Sequence, residues 1–172
     1  MKLNSNKKGF TLIELLVVIA IIGLLATLAV VSLSSARTKA RDAKRKSDAT
    51  AFMKAVELYF ADFGVYPPSG GATTPNAAWS NASDASWNTL QTAVKPYLPV
   101  LPKDPQQSAN PAIWGATGYS YSYFRGGCGG YMLVYQLEIA DGPDPGTSQC
   151  GTPFQYGGPG ANTAVKTVGV SL

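Results

Sequence analysis

The chain has 172 residues, a formal net charge of +4, no histidine and two cysteines. Without histidine there is no Ser-His-Asp or Cys-His catalytic set and no histidine-ligated metal site. Two cysteines are also too few for a four-cysteine zinc site or an iron–sulfur cluster. All 12 prolines lie at or after Pro67, and 16 of the 18 glycines lie at or after Gly64. The sequence therefore predicts a helical first part and a turn-rich remainder.

The first helical segment is long and almost uncharged. Residues 10–33 contain a single charged side chain, Glu14. Because about 20 apolar helical residues cross a bilayer core of about 30 Å, residues 10–35 are predicted to span a membrane. Residues 37–46 then carry six basic residues and one acidic residue, and they end the apolar segment.

The basic run at residues 37–46 has three interpretations: a solvated helix face, a contact with anionic lipid headgroups, or a nucleic-acid surface. Its place directly after the apolar segment favours contacts with lipid or with other subunits. The run lacks the aromatic residues on which single-stranded nucleic acid stacks. Nucleic acid is therefore not expected as a partner.

The helix is predicted to continue amphipathically over residues 36–63. Apolar side chains recur at helical spacing towards its end, at Phe52, Val56, Tyr59 and Phe63. Gly64 is the type of residue that follows a helix, and the prolines at 67 and 68 prevent continuation. Residues 64–172 are predicted to form a globular head, in which Asp84 caps a short helix that ends near Lys95. Three side chains form the buried face of this helix: Trp87, Leu90 and Val94.

Alternating side chains predict a small antiparallel sheet in the head. Strands are expected at residues 119–124 and 131–139, joined by a glycine-rich hairpin, with a third at residues 163–171. Odd-numbered residues from Leu133 to Ile139 form one apolar face, which residues 52–63 are expected to cover. The tyrosines at 119, 121 and 123 are interpreted as sheet core rather than as a sugar-binding surface. The predicted fold class is α+β, with a long N-terminal helix whose second half packs on this sheet.

The apolar segment also permits two simpler interpretations. It could be a secretory signal cleaved near residues 34–36, or a plain single-pass anchor. Neither interpretation explains Glu14, since a charged side chain costs about 2.5–3.5 kcal/mol near the bilayer centre and less towards its edge. Glu14 is therefore predicted to have a function.

The segment from Lys7 to Gly23 resembles the class III signal of type IV pilins and of the pseudopilins of type II secretion. The resemblance implies that a prepilin peptidase removes residues 1–9 by cutting after Gly9 on the cytoplasmic side of the membrane. It then methylates the new terminal amine, on Phe10. Glu14, the fifth residue of the mature chain, corresponds to the residue that directs assembly in this family.

The resemblance implies a structural subunit and not an enzyme: a type IV pilin-like chain that polymerises through its N-terminal helices into a pilus or pilus-like filament. The alternative is the major pseudopilin of a type II secretion system, and a DNA-uptake pilin is less favoured. Before assembly the chain would span the inner membrane once, with the head periplasmic or extracellular. The positive charges at residues 37–46 predict the opposite orientation, but the processing site requires Gly9 on the cytoplasmic side.

Two further sites are expected in the head. Cys128 and Cys150 resemble the disulfide that bounds the C-terminal region of pilins, and export favours their pairing. Asp141 and Asp144 offer oxygen ligands to calcium, which the major pseudopilins bind in a C-terminal loop. The same residues are also ordinary turn formers.

Overall fold

A computed structural model describes residues 9–72, 77–107, 119–149, 152–154 and 163–170. Within this part the chain forms two helices and six strands. In chain order they are α1 (Leu12–Phe63), β1 (Ser80–Asn81), α2 (Ser86–Val94), β2 (Ser122–Arg125), β3 (Tyr131–Gln136), β4 (Thr147–Gln149), β5 (Thr152–Phe154) and β6 (Val165–Val170). The α+β fold class predicted from the sequence is confirmed.

Helix α1 is continuous over 52 residues, as the absence of proline predicts. It ends where expected, at Gly64, whose φ of 66° is the left-handed conformation that glycine adopts without strain. The Gly64 amide donates a 2.8 Å hydrogen bond to the Phe60 carbonyl and so satisfies one of the last carbonyls of the helix.

The chain divides into two compact units, residues 1–38 and residues 39–172. In the described residues of the first unit, the large apolar side chains from Leu12 to Leu33 are all at least 44% exposed. Among the described residues, α1 is the one helix long and apolar enough to cross a membrane.

In the described part of the second unit, four antiparallel strands form a sheet in the order β1-β2-β3-β6. The β2–β3 hairpin and the third strand, β6, were predicted, although β2 begins at Ser122 and not at residue 119. Strand β1 and the separate β4–β5 ribbon were not predicted, because strands of two or three residues show no readable alternation. A Cβ placed on Gly169 in β6 would lie 2.1 Å from the Tyr131 carbonyl oxygen.

The face of the sheet that carries Leu133 and Tyr135 packs on α1, as predicted. Phe52 stacks on Trp87 with ring centroids 5.7 Å apart, and it meets the edge of Tyr123 at 5.5 Å. Val56 is fully buried in the same cluster. Tyr121 and Tyr123 are buried there too, which confirms them as core residues.

The other face of the sheet is also apolar, which the sequence interpretation did not include. Met132 and Val134 pack against Ala72 and Trp79. Two backbone hydrogen bonds join the segments that carry Ala72 and Trp79. The Gly71 amide donates to the Ala77 carbonyl at 2.8 Å, and the Ala72 amide donates to the Trp79 carbonyl at 3.0 Å. Strand β3 is therefore buried on both faces, which explains its nearly continuous apolar sequence.

Two details of the prediction are wrong. Ile139 was placed on the buried face but is 46% exposed, because β3 ends at Gln136, three residues earlier. Asp84 was placed at the cap of α2, but Ala85 occupies that position. The Asp84 carboxylate instead accepts a 2.8 Å hydrogen bond from the Ser86 amide within the preceding turn. The buried face of α2, with Trp87, Leu90 and Val94, is as predicted.

Candidate functional site

The N-terminal end of α1 is closed by reciprocal hydrogen bonds between Thr11 and Glu14. The Thr11 amide and hydroxyl donate to Glu14 Oε2 at 2.8 and 2.6 Å. The Glu14 amide in turn donates to Thr11 Oγ1 at 3.3 Å. This arrangement is a capping box, in which a threonine and a glutamate three residues later satisfy each other's backbone donors. The T-x-x-E spacing was visible in the sequence, but its capping role was not predicted.

The expected processing site lies immediately before this cap. Gly9 and Phe10 are exposed and precede the helix, so the bond between them is not enclosed in regular structure. A Cβ on Gly9 would meet nothing within 4 Å. Residues 1–8, the rest of the predicted leader, lie outside the described residues.

The helical segment after the cap offers an apolar surface on all sides. Within this segment, the Thr27 hydroxyl donates a hydrogen bond to the Leu24 carbonyl at 2.8 Å. This hydroxyl therefore needs no partner from outside the helix. Gly23 leaves open space beside the helix. Such a surface is stable in lipid or against other apolar helices.

In the second unit, the basic run contributes a buried arginine. Arg45 is fully buried and pairs with three carboxylates. It donates to both oxygens of Asp104 at 2.7 and 2.9 Å, to Asp42 at 2.7 Å and to Glu138 at 2.8 Å. Its guanidinium carbon also lies 4.3 Å from the centre of the Tyr119 ring.

Three other basic residues of the run also have acidic partners. Arg41 donates to both oxygens of Glu138 at 2.5 Å. Lys44 pairs with Asp48 at 3.0 Å, and Lys46 pairs with Asp141. Arg45 is therefore not part of a free surface, whereas Lys44 and Lys46 remain exposed. Contact of the exposed basic residues with solvent, with lipid or with other subunits stays a prediction. The sequence could not show the pairing of Arg45, because Asp104 and Glu138 lie 59 and 93 residues away.

The arginine cluster also holds the chain that follows β3. The Asp42 carboxylate accepts hydrogen bonds from the backbone amides of Glu138 and Ile139 at 2.9 and 3.1 Å. The hydrogen bond from Arg41 lowers the pKa of Glu138 to about 2, against the opposing effect of burial and with a further contribution from Arg45. Burial alone would lower the pKa of Arg45. Its hydrogen bonds to the three carboxylates outweigh burial, so the pKa of Arg45 lies above its usual value. Arg45 and Glu138 are therefore both ionised near neutral pH.

The two aspartates predicted for calcium have partners within the chain. Asp144 is buried and accepts from the Thr167 amide at 2.5 Å, the Thr167 hydroxyl at 2.7 Å and the Gly146 amide at 3.1 Å. Asp141 pairs with Lys166 at 2.8 Å and with Lys46, and these bonds lower its pKa. Among the described residues, no three His, Cys, Asp or Glu side chains gather as a metal-binding group.

The predicted disulfide falls partly outside the described residues. Cys128 lies in the turn between β2 and β3 and is disulfide-bonded. Cys150 lies outside the described residues. The pairing of these two cysteines stays a prediction.

Comparisons with known proteins place this arrangement in a family. Residues 4–30 match the family model of the prokaryotic N-terminal methylation motif. Type II secretion system core protein G of Pseudomonas aeruginosa is 32% identical over 146 residues, which cover 84% of this chain and 91% of that protein. This chain belongs to the core protein G family of type II secretion pseudopilins.

A second core protein G supports the same family, and a fimbrial protein is also similar to this chain. Core protein G of Vibrio cholerae is 31% identical over 147 residues, which cover 85% of this chain and 89% of that protein. A fimbrial protein of Eikenella corrodens is 37% identical over 98 residues, which cover 53% of this chain and 64% of that protein. No solved structure matches the chain. The chain is thus a pilin-like structural subunit with a membrane-anchoring helix, as the resemblance implied.

Proposed function

We propose that this chain is the major repeating subunit of a type II secretion pseudopilus. The observation that carries the proposal is the apolar segment of α1, whose large side chains from Leu12 to Leu33 are all exposed within its own chain. Exposed apolar surface of this extent needs either lipid or other apolar helices. A filament supplies other apolar helices, since many copies of the same segment can bundle into a shared core.

Processing prepares this segment for assembly. Cleavage after Gly9 by a prepilin peptidase would remove residues 1–9 and leave Phe10 as the first residue, with a methylated amine. The exposed, non-helical Gly9–Phe10 bond is accessible to such an enzyme. The head would then lie on the outer side of the inner membrane, where an oxidising compartment suits the disulfide-bonded Cys128.

Glu14 gives the filament its register in this proposal. In the single chain its carboxylate bonds to the Thr11 amide and hydroxyl, which are neutral donors. Cleavage creates a positive amine on Phe10 that has no counterion in an apolar core. Pairing of that amine with Glu14 of a neighbouring subunit offsets the cost of removing both charges from water. The pairing fixes the axial position of each copy.

A surface pilus is the second candidate, favoured by the fimbrial relative and by Cys128. Electron microscopy of cells with and without the assembly ATPase, combined with mass spectrometry of the filament's N-terminus, distinguishes the two. Short periplasmic assemblies that begin with methylated Phe10 support the pseudopilus. Long surface fibres made of the same processed chain support the pilus, and absence of any filament contradicts both.

A further inference from the structure

The side chain of Lys166 reaches from β6 into the loop formed by residues 141–146, here called the acidic loop. Its ammonium donates to the Gly142 carbonyl at 2.7 Å and the Pro143 carbonyl at 3.1 Å. It also lies 2.8 Å from Asp141 Oδ1. The lysine residue is only 5% exposed. A buried positive charge is thus held by three oxygen atoms from three consecutive residues.

The neighbouring residue of β6 holds the rest of the acidic loop. Thr167 donates its amide and its hydroxyl to the two carboxylate oxygens of Asp144. The Thr163 amide donates to the Gly142 carbonyl at 3.0 Å, so this oxygen accepts two hydrogen bonds. The oxygens that face β6 are therefore already used by donors of the same chain.

These oxygens are of the kind that calcium prefers, namely carboxylate and backbone carbonyl. The family resemblance implies a calcium ion in a C-terminal loop, which makes the acidic loop the place to test that expectation. Calcium needs six to eight such ligands at about 2.3–2.6 Å. Here the position between Asp141, Gly142 and Pro143 holds an ammonium group, and Asp144 is turned to Thr167. Among the residues that the structure describes, those of the acidic loop do not fit calcium.

We infer that Lys166 takes the place of a divalent cation in the acidic loop, so that the head folds without calcium. The ammonium supplies positive charge and three N–H donors where a metal ion would supply charge and coordination. It is covalently part of β6, so the loop is held at any external calcium concentration. The inference concerns the head alone, and it does not depend on which filament the chain forms.

The first test uses the full chain in detergent and compares thermal unfolding in calcium chloride with unfolding in a chelator. A ligand that binds only the folded state raises the unfolding temperature, and the rise grows as the ligand concentration exceeds its dissociation constant. We expect the same unfolding temperature in both solutions. A rise of several degrees in calcium would overturn the inference, and this test needs no variant.

The second test removes the ammonium with Lys166→Met, which keeps most of the side-chain length. Lys54→Met, at an exposed position of α1, is the matched control. In chelator we expect Lys166→Met to lower the unfolding temperature by several degrees and the control to leave it unchanged. An unchanged unfolding temperature in Lys166→Met would contradict the role assigned to the ammonium.

Hydrogen exchange of the wild-type chain provides a local measurement. The amides of Gly146, Thr163 and Thr167 donate within or onto the acidic loop. If the loop needs no metal ion, these amides should exchange at the same slow rates in chelator and in calcium chloride. Faster exchange at these amides in chelator would overturn the inference, even if global unfolding were unaffected.

Discussion

Arg45 and Asp104 form a two-point ion pair whose side chains are both completely shielded from solvent. The pair joins helix α1 to a loop 59 residues further along the chain. Because a buried charge without a partner is expensive, displacement of that loop from the helix would leave both charges unpaired. Arg45 is in this way internal structure rather than surface, although it belongs to the basic run.

Removal of the guanidinium should strongly destabilise the head. Arg45→Met leaves the buried Asp104 without its counterion, and loss of one partner of a buried pair costs about 3–5 kcal/mol. Urea unfolding of the full chain in detergent measures this loss. Lys39→Met, an exposed residue of the same basic run, is the control and should change stability by less than about 0.5 kcal/mol. Equal stability of the two variants would show that Arg45 does not hold the loop.

Acid should weaken the same cluster through Glu138. Its pKa is about 2 in the folded chain and 4.5 for the free group, so the unfolded chain binds its proton first as pH falls. The stabilising contribution is therefore complete above pH 4.5 and decreases progressively as pH falls towards 2. Unfolding temperature measured across this range should fall, and Glu138→Gln should make that fall shallower. A slope that is the same in both chains would exclude Glu138 as a source of acid sensitivity.

Gly169 should tolerate no side chain. A Cβ there would lie 2.1 Å from the Tyr131 carbonyl oxygen, near one end of the β3–β6 pairing, so the strands would have to separate there. Gly169→Ala is expected to cost about 1–3 kcal/mol, the usual range for overpacking. Gly127→Ala is the control, since a Cβ at Gly127 meets nothing within 4 Å. Urea unfolding should separate the two variants, and equal unfolding midpoints would contradict the close approach.

The predicted disulfide between Cys128 and Cys150 has a direct chemical test. The denatured wild-type chain, treated with an alkylating reagent without reductant, should gain no label in intact-mass spectrometry. With reductant it should gain two labels. Loss of the bond in Cys128→Ser should cost on the order of 3 kcal/mol by loop closure. Labelling of both thiols without reductant would exclude the pairing.

The sequence predicted the elements that have a strong period of their own. Helix α1, the β2–β3 hairpin and β6 all follow from the spacing of apolar and turn residues. Strand β1 could not be predicted, because Ser80 and Asn81 are polar and too few to alternate. They are a strand only because β2 lies beside them.

The candidate site was predictable only where it is local. Thr11 and Glu14 form a cap that their spacing alone indicates. Arg45 appeared as one more charge in a basic run, since its partners Asp104 and Glu138 reach it only through the tertiary fold. Lys166 is similar: nothing in its neighbours along the chain shows that it turns into the acidic loop.

Assembly through Glu14 is the central claim, and two variants of one capping box test it most directly. Glu14→Gln keeps a carbonyl oxygen for the Thr11 donors but removes the charge that would pair with the Phe10 amine of a neighbour. Thr11→Val keeps the charge but removes the hydroxyl, at a cost of about 0.5–2 kcal/mol to the helix end.

Both variants should enter the membrane in normal amounts, which fractionation of the cells would show. Electron microscopy and quantification of sheared filaments then measure assembly of the mature chain. We predict that Thr11→Val forms filaments and Glu14→Gln does not. Normal filaments from Glu14→Gln would contradict the claim that the Glu14 charge joins neighbouring subunits.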